Sequence, residues 1–256
     1  MHRAFAFLFA AASLMAADLA PTGTLRAAFL GANPVQGHVD AQTGAITGPV
    51  ADIVKEMARK LGVPFTIIPA SGATGVIGLL KSGKADIGFL AYDEARSKEV
   101  DFAGPYALMY NTYVVAADSP IQKAADADRA GVKIGAVRGQ TQETFLSANI
   151  KNGQVRIYDS QPPQPELERL LLSGELQAFG ANRQRMEDAA AKSSKLRALS
   201  DNFLVVVQEI VLDKGGDPGK LAEIDRLIDE MRASGFIKAS LDRAKLSGVD
   251  VAPAKR

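Results

Sequence analysis

Apolar positions recur along this chain in two rhythms that alternate. Val50, Ile53, Val54, Met57, Ala58 and Leu61 fall at helical spacing and predict a helix over Pro49–Leu61, closed by Gly62. Short apolar runs at Leu25–Leu30, Val63–Pro69 and Ile87–Ala91 predict strands, and a further apolar helix is expected from Ser71 to Ser82. Between the first strand and the first helix the chain is polar and glycine-containing, which suits a loop or short hairpin. Strand, helix, strand, helix, strand is the order of a parallel sheet built by right-handed crossovers, so the fold class is α/β.

The rhythm then repeats. Tyr110–Ala117 reads as a long strand broken by Asp118-Ser119-Pro120. Val132–Val137 and Val155–Tyr158 read as strands. The turn Arg138–Glu143 leads into a helix with Gln140 or Thr141 near its cap, and Pro165–Leu172 is a helix with Pro in its first turn. Ser173-Gly174-Glu175-Leu176-Gln177-Ala178-Phe179-Gly180 echoes Ser82-Gly83-Lys84-Ala85-Asp86-Ile87-Gly88-Phe89, the same step from helix through Gly to strand. Two sheets with ligand-facing strand ends imply a cleft between them. Phe203–Leu212 is a β-branched run interrupted by Gln208-Glu209. Amphipathic helices are expected over Leu221–Ala233 and Phe236–Leu246, and Val249–Arg256 is expected to fray.

Composition narrows the chemistry. The chain has 256 residues and a net charge of +1, so bulk electrostatics favour neither nucleic acid nor anionic membrane. There is no Cys, and the two His are His2 and His38. Disulfides, thiolate chemistry and a lipid-bearing Cys are excluded, and neither a His-based triad nor a metal site or cofactor is expected. Met1-His2-Arg3, the apolar run Ala4–Met15 and the small residues Ala16-Ala17 have the form of a cleaved signal peptide over 1–17, which predicts an exported, periplasmic protein.

The most informative stretch is Gly83–Tyr106, where Asp93 and Arg96 follow the strand ending at Ala91. Ligands of open α/β sheets sit beyond the carboxyl ends of the strands. Arg96 there is either a surface partner for Glu94 or Glu99 or a planar fork for a carboxylate or phosphate.

Leu80–Asp86, Arg96–Tyr106, Lys133–Thr141 and Leu212–Gly215, in this order behind a signal peptide, resemble the periplasmic solute-binding proteins of ABC importers, amino-acid-binding type (solute-binding family 3). The resemblance implies a type II two-lobed fold: two mixed sheets with flanking helices, joined by two hinge crossovers. Lobe 1 would be 22–115 plus 208–250, lobe 2 would be 116–207, and 251–256 a disordered tail. It implies a monomer that closes around a small polar carboxylate-bearing solute and docks on an inner-membrane ABC permease. Arg96 would be the family's carboxylate-binding Arg, and Gly139-Gln140-Thr141 its helix start in the second lobe. Two departures stand out: Asp93 replaces a Thr, and Asn182 stands where the family's Asp holds an α-ammonium.

The candidate ligand-binding set is therefore Arg96, Asp93, Tyr92, Ala91, Asn33, Gly139, Gln140, Thr141, Asn182 and Gln208. Asp93 could itself hold an ammonium. Tyr92 and Phe89 suit either packing or ligand stacking. Asn33 and Gln208 suit either cleft lining or hydrogen bonds within a turn or hinge. Two other readings use the same fold: a periplasmic accessory or sensor protein, and a small-acid dehydratase or lyase with Asp93 or Glu209 as general acid or base.

Overall fold

A computed structural model describes residues 18–254. Residues 1–17, where the sequence predicts a signal peptide, and residues 255 and 256 lie outside the described residues. The first part of the chain runs β1 (Leu25–Leu30), β2 (His38–Val39), β3 (Ile46–Thr47), α1 (Pro49–Leu61), β4 (Phe65–Ala70), α2 (Gly72–Lys81), β5 (Ile87–Ala91) and β6 (Val100–Ala116). It continues through β7 (Lys133–Val137), α3 (Thr141–Asn149), β8 (Gln154–Tyr158), α4 (Gln164–Leu172), β9 (Ala178–Asn182), α5 (Arg183–Ala191) and β10 (Leu196–Ala198). β11 (Leu204–Asp213), α6 (Pro218–Ala233), α7 (Phe236–Ala244) and β12 (Val249–Val251) complete it.

The echo in the sequence is an echo in space. β1 lies between β4 and β5, parallel to both, and β7 lies between β8 and β9, parallel to both. Each half enters its third strand in the same way. Gly83 and Gly174 adopt φ of 65° and 74°, the left-handed conformation that only glycine takes without strain. Three residues later Asp86 exchanges two bonds with the first strand: Arg26 N–H donates to Asp86 Oδ2 at 2.9 Å, and Asp86 N–H donates to Arg26 O at 2.8 Å. Gln177 does the same with Lys133, at 2.8 and 2.9 Å. In the first half the carboxylate also accepts two bonds from the Arg26 guanidinium, an ion pair whose acid is almost wholly buried.

Separate cores fill the two lobes. Phe29, Ile53, Met57, Phe89 and Ile210 pack with α6 and α7 residues such as Ile224, Leu227 and Ile237 on one face of the first sheet. Val76, Leu80 and Val211 fill the other face. In the second lobe Leu167, Leu170, Phe179 and Met186 form one cluster, and Tyr113, Ile134, Leu146 and Leu199 another. Each such side chain contributes on the order of 1.5–3 kcal/mol by leaving water.

Four features depart from the sequence reading. First, the two sheets are not separate: β6 pairs with β11 over Val100–Asn111 and with β9 over Asn111–Val114, so one hydrogen-bonded path runs through both lobes. Tyr113, Val114 and Val115 already pack in second-lobe cores, so the change of lobe falls at Asn111 and Thr112 rather than after 115. Second, β6 is continuous through Gly104-Pro105. Ala103 and Ala107 pair with Ile210 and Gln208, leaving the extra residues as a bulge where Pro needs no ladder donor. Third, α5 and β10 are present where no element was expected, because α5 is polar on most of its surface. Fourth, the tail expected to be disordered is paired: Val249–Val251 bond to β6, and Ala252 is buried with its N–H donating to Tyr106 O. No described helix is long and apolar enough to cross a membrane.

Candidate ligand-binding site

The candidate site lies where β1, β5, β7 and β9 end. On the first lobe the turn after β5 is set by Asp93, whose Oδ1 accepts the N–H groups of Ala95 and Arg96 at 3.0 and 3.1 Å. This begins a single 3-10 turn, Arg96–Lys98. Its geometry folds the Arg96 side chain back over the strand it has left. Nη1 donates to Ala91 O at 3.1 Å and to Thr141 Oγ1 at 3.1 Å, and Nη2 donates to Gly139 O at 3.1 Å. The last two partners belong to the second lobe, so the guanidinium spans the cleft. Burial pushes the Arg96 pKa down, and the Asp93 carboxylate partly offsets this.

On the second lobe β7 ends in a turn where Gly139 has φ of 71°, and Gln140 is the N-cap of α3 without a side-chain bond to the helix. The first-turn N–H groups of a helix have no intrahelical partner; here Glu143 Oε2 accepts the N–H of Gly139 at 3.3 Å, and the Gln140 side chain caps none of the others. At the end of β9, Asn182 caps α5: its Oδ1 accepts Arg185 N–H at 3.0 Å, and the residue is 6% exposed. Gln140 and Asn182 line a cavity of about 20 Å³ together with Val137, Gln142, Gln161 and Arg185. That is room for about one water.

The other candidates are placed as follows. Tyr92 is 47% exposed and packs edge-on against Phe102, with ring centroids 5.1 Å apart. Together with Asp93, Thr141, Phe145 and Val205 it lines a larger apolar cavity of about 350 Å³ between the turn after β5, α3 and β11. Phe89 lies in the first-lobe core against Tyr106, away from the cleft. Asn33 spends its side chain in the turn after β1, where Oδ1 accepts Val35 N–H. Gln208 has no exposed surface; its Oε1 accepts from Gln36 Nε2 at 3.1 Å, and Gln36 in turn bonds Phe89 O and Leu30 N–H. Gln208 is thus tied into a buried network beneath the strand ends rather than exposed on the cleft.

Sequence reasoning missed Arg185 and Gln142. Arg185 reaches from α5 to Ala32 O in the turn after β1, a second bridge between the lobes. Gln142 donates to Asn111 Oδ1 at 2.5 Å, anchoring the start of α3 to the point where β6 changes lobe. The signal for Arg185 was available: Asn182 followed by Met186, Ala189 and Ala190 is a capped amphipathic turn, which places residue 185 near the helix start.

Two lobes built to one pattern, hydrogen-bonded through β6 and β11, with cationic side chains and a helix N-terminus meeting at their strand ends, define a two-lobed α/β binding-protein fold. The chain belongs to the bacterial extracellular solute-binding proteins, family 3, whose family model matches residues 25–244. It is 26% identical over 211 residues to the L-cystine-binding protein TcyJ of Escherichia coli (strain K12), covering 81% of this chain and 77% of that one. Among solved structures it is similar to the amino-acid ABC transporter substrate-binding protein AbpA of Streptococcus pneumoniae bound to L-arginine, with a TM-score of 0.69, 23% identity and coverage of 88% and 95%. It is likewise similar to the ancestral amino-acid-binding protein AncCDT-1, a precursor of cyclohexadienyl dehydratase, with a TM-score of 0.69, 24% identity and coverage of 87% and 95%.

Proposed function

We propose that this protein is the extracytoplasmic substrate-binding component of an ABC importer, capturing a small carboxylate-bearing solute between its lobes and presenting it to a membrane permease. The observation that carries this reading is Arg96, a half-buried guanidinium held at the cleft by Ala91 O and facing Gly139 and Thr141 at the start of α3. A carboxylate there would meet a planar fork from one lobe and, from the other, the first-turn N–H groups of α3 beyond Gly139 and Gln140, whose own N–H groups are taken by Glu143 and Val137 O. Arg96 bonds Thr141 and Gly139 directly across the cleft, so the solute enters by parting of the lobes and is enclosed when they close. The relatives that bind L-cystine and L-arginine support an amino acid or related organic acid as the solute class. Binding without turnover fits the acids present, since Asp93 Oδ1 is occupied by two backbone N–H groups and Glu209 is buried in β11 opposite Leu90.

Thermal shift of the purified chain against amino acids and organic acids tests this. A solute at about 100 times its Kd stabilises the native state by about 2.7 kcal/mol. For a chain of this size that raises Tm by roughly 5–10 °C. A flat response across the whole panel counts against the reading.

A further inference from the structure

The second lobe carries a cation that the reading above leaves without a role. Arg185 sits in the first turn of α5, and its guanidinium crosses the cleft to Ala32 O. Burial pushes its pKa down, and no carboxylate offsets the effect. Glu187 accepts from Arg183 at 3.0 Å; Asp188 accepts from Gln184 at 2.9 Å and lines, with Arg185 and Lys192, a neighbouring cavity, without an ion pair to Arg185. Arg185 is half-buried and its cross-cleft partner is one neutral carbonyl, so an anion is what would compensate its charge.

The surroundings point the same way. Arg185 shares a small cavity at the strand ends with Asn182 and with Gln140, whose side chain makes no cap bond at the start of α3. Among the residues lining that cavity there is no acid to hold an ammonium, and the Asn182 oxygen is already taken by the helix it caps. Arg96 reaches from lobe 1 to lobe 2, and Arg185 reaches from lobe 2 to lobe 1. A solute with a single carboxylate can neutralise one of them.

We propose that Arg185 is a second anion-binding group, so that the closed cleft takes a solute with two separated carboxylates, one for each arginine, rather than a basic or simple zwitterionic amino acid. This deepens the binding reading above and rests on it. In the closed form each carboxylate replaces the backbone carbonyl that its arginine now contacts in the opposite lobe.

Calorimetric titration of the purified chain with succinate, glutarate, propionate and L-arginine tests it, with Arg185→Gln, Arg185→Lys and Arg96→Ala as variants and circular dichroism to check their folding. A dicarboxylate is expected to bind at least about tenfold tighter than propionate. Arg185→Gln should erase that preference while leaving propionate within about threefold, Arg185→Lys should restore part of it, and Arg96→Ala should weaken both acids. Dicarboxylates that bind no tighter than propionate, or a preference unchanged in Arg185→Gln, overturn the proposal. L-Arginine binding tighter than either dicarboxylate overturns it too but leaves the solute-binding reading standing. Failure of all four probes, together with a flat wider panel, removes both.

Discussion

Replacing Arg96 with Ala is the perturbation that separates a ligand clamp from an interlobe brace. The side chain makes three hydrogen bonds: one to Ala91 O in its own lobe, two to Gly139 O and Thr141 Oγ1 in the other. A hydrogen bond from a charged group contributes about 1.5–3 kcal/mol net. The bond to Ala91 O is the part that serves the first lobe alone, so Arg96→Ala should lower stability by about 1–2 kcal/mol, or roughly 2–8 °C in Tm. Its effect on solute affinity should be larger, because a carboxylate enclosed in the cleft loses its fork and its neutralising charge together. About 2–3 kcal/mol corresponds to a Kd weakened by roughly 30–150-fold. Arg96→Lys keeps the charge without the planar fork and should fall between wild type and Ala. The assay is calorimetry with whichever carboxylate solute stabilises the wild-type chain. An Arg96→Ala variant that keeps its Kd within about threefold while losing several degrees of Tm would make Arg96 a brace and nothing more.

Three further outcomes follow from particular residues. Asn182→Asp keeps the cap on α5, since Asp caps as well as Asn and its charge suits a helix N-terminus, yet it brings a carboxylate beside Arg185. Stability should hold while affinity for carboxylate solutes falls at least about tenfold by calorimetry; unchanged affinity would place Asn182 outside the site. Tyr106 is buried against Phe89, and its hydroxyl has no hydrogen-bond partner. Tyr106→Phe should therefore be neutral or stabilising by up to about 1 kcal/mol in urea unfolding, and a loss of more than that would reveal a partner for the hydroxyl. Gly104 has φ of 56°, and an added Cβ would lie 2.7 Å from Ile224 and 2.8 Å from Ile228 on α6. Gly104→Ala should cost roughly 2–5 kcal/mol, read as a lower urea midpoint; a midpoint at the wild-type value would show that the bulge and α6 can both yield.

Much of the fold was legible in the sequence because it is decided locally. The apolar stripe of α1, bounded by Pro49 and Gly62, marks out that helix, and the structure gives it the same ends, with Gly62 in the left-handed cap. β5 reads as a short apolar run for the plain reason that all five of its residues are buried. The echo between Gly83–Phe89 and Gly174–Gly180 was visible as residue types, and its cause is a backbone exchange that Asp86 and Gln177 each make with a first strand. Arg96 at a strand end, and a glycine turn before α3, were visible for the same local reasons.

What the tertiary structure decided are pairings between residues far apart in the chain, which no local pattern encodes. β12 looks like a frayed end until β6 is beside it, since a strand of three residues has no stability without a partner. Gln208 could have faced the cleft; its burial depends on Gln36, 172 residues away, supplying the donor. Asn182 carries the same side chain whether it waits for a ligand or caps a helix, and only the presence of α5 gives it the second task. The sequence around Arg185 can show a helix start but not what the side chain meets, which is set by where β9 ends and by Ala32, 153 residues earlier, across the cleft. The sequence by itself determined the elements and the order in which they alternate, because periodicity acts within a few residues. The tertiary structure alone determined which charges face each other across the cleft, because a charge acts through space and its partners are chosen by the fold.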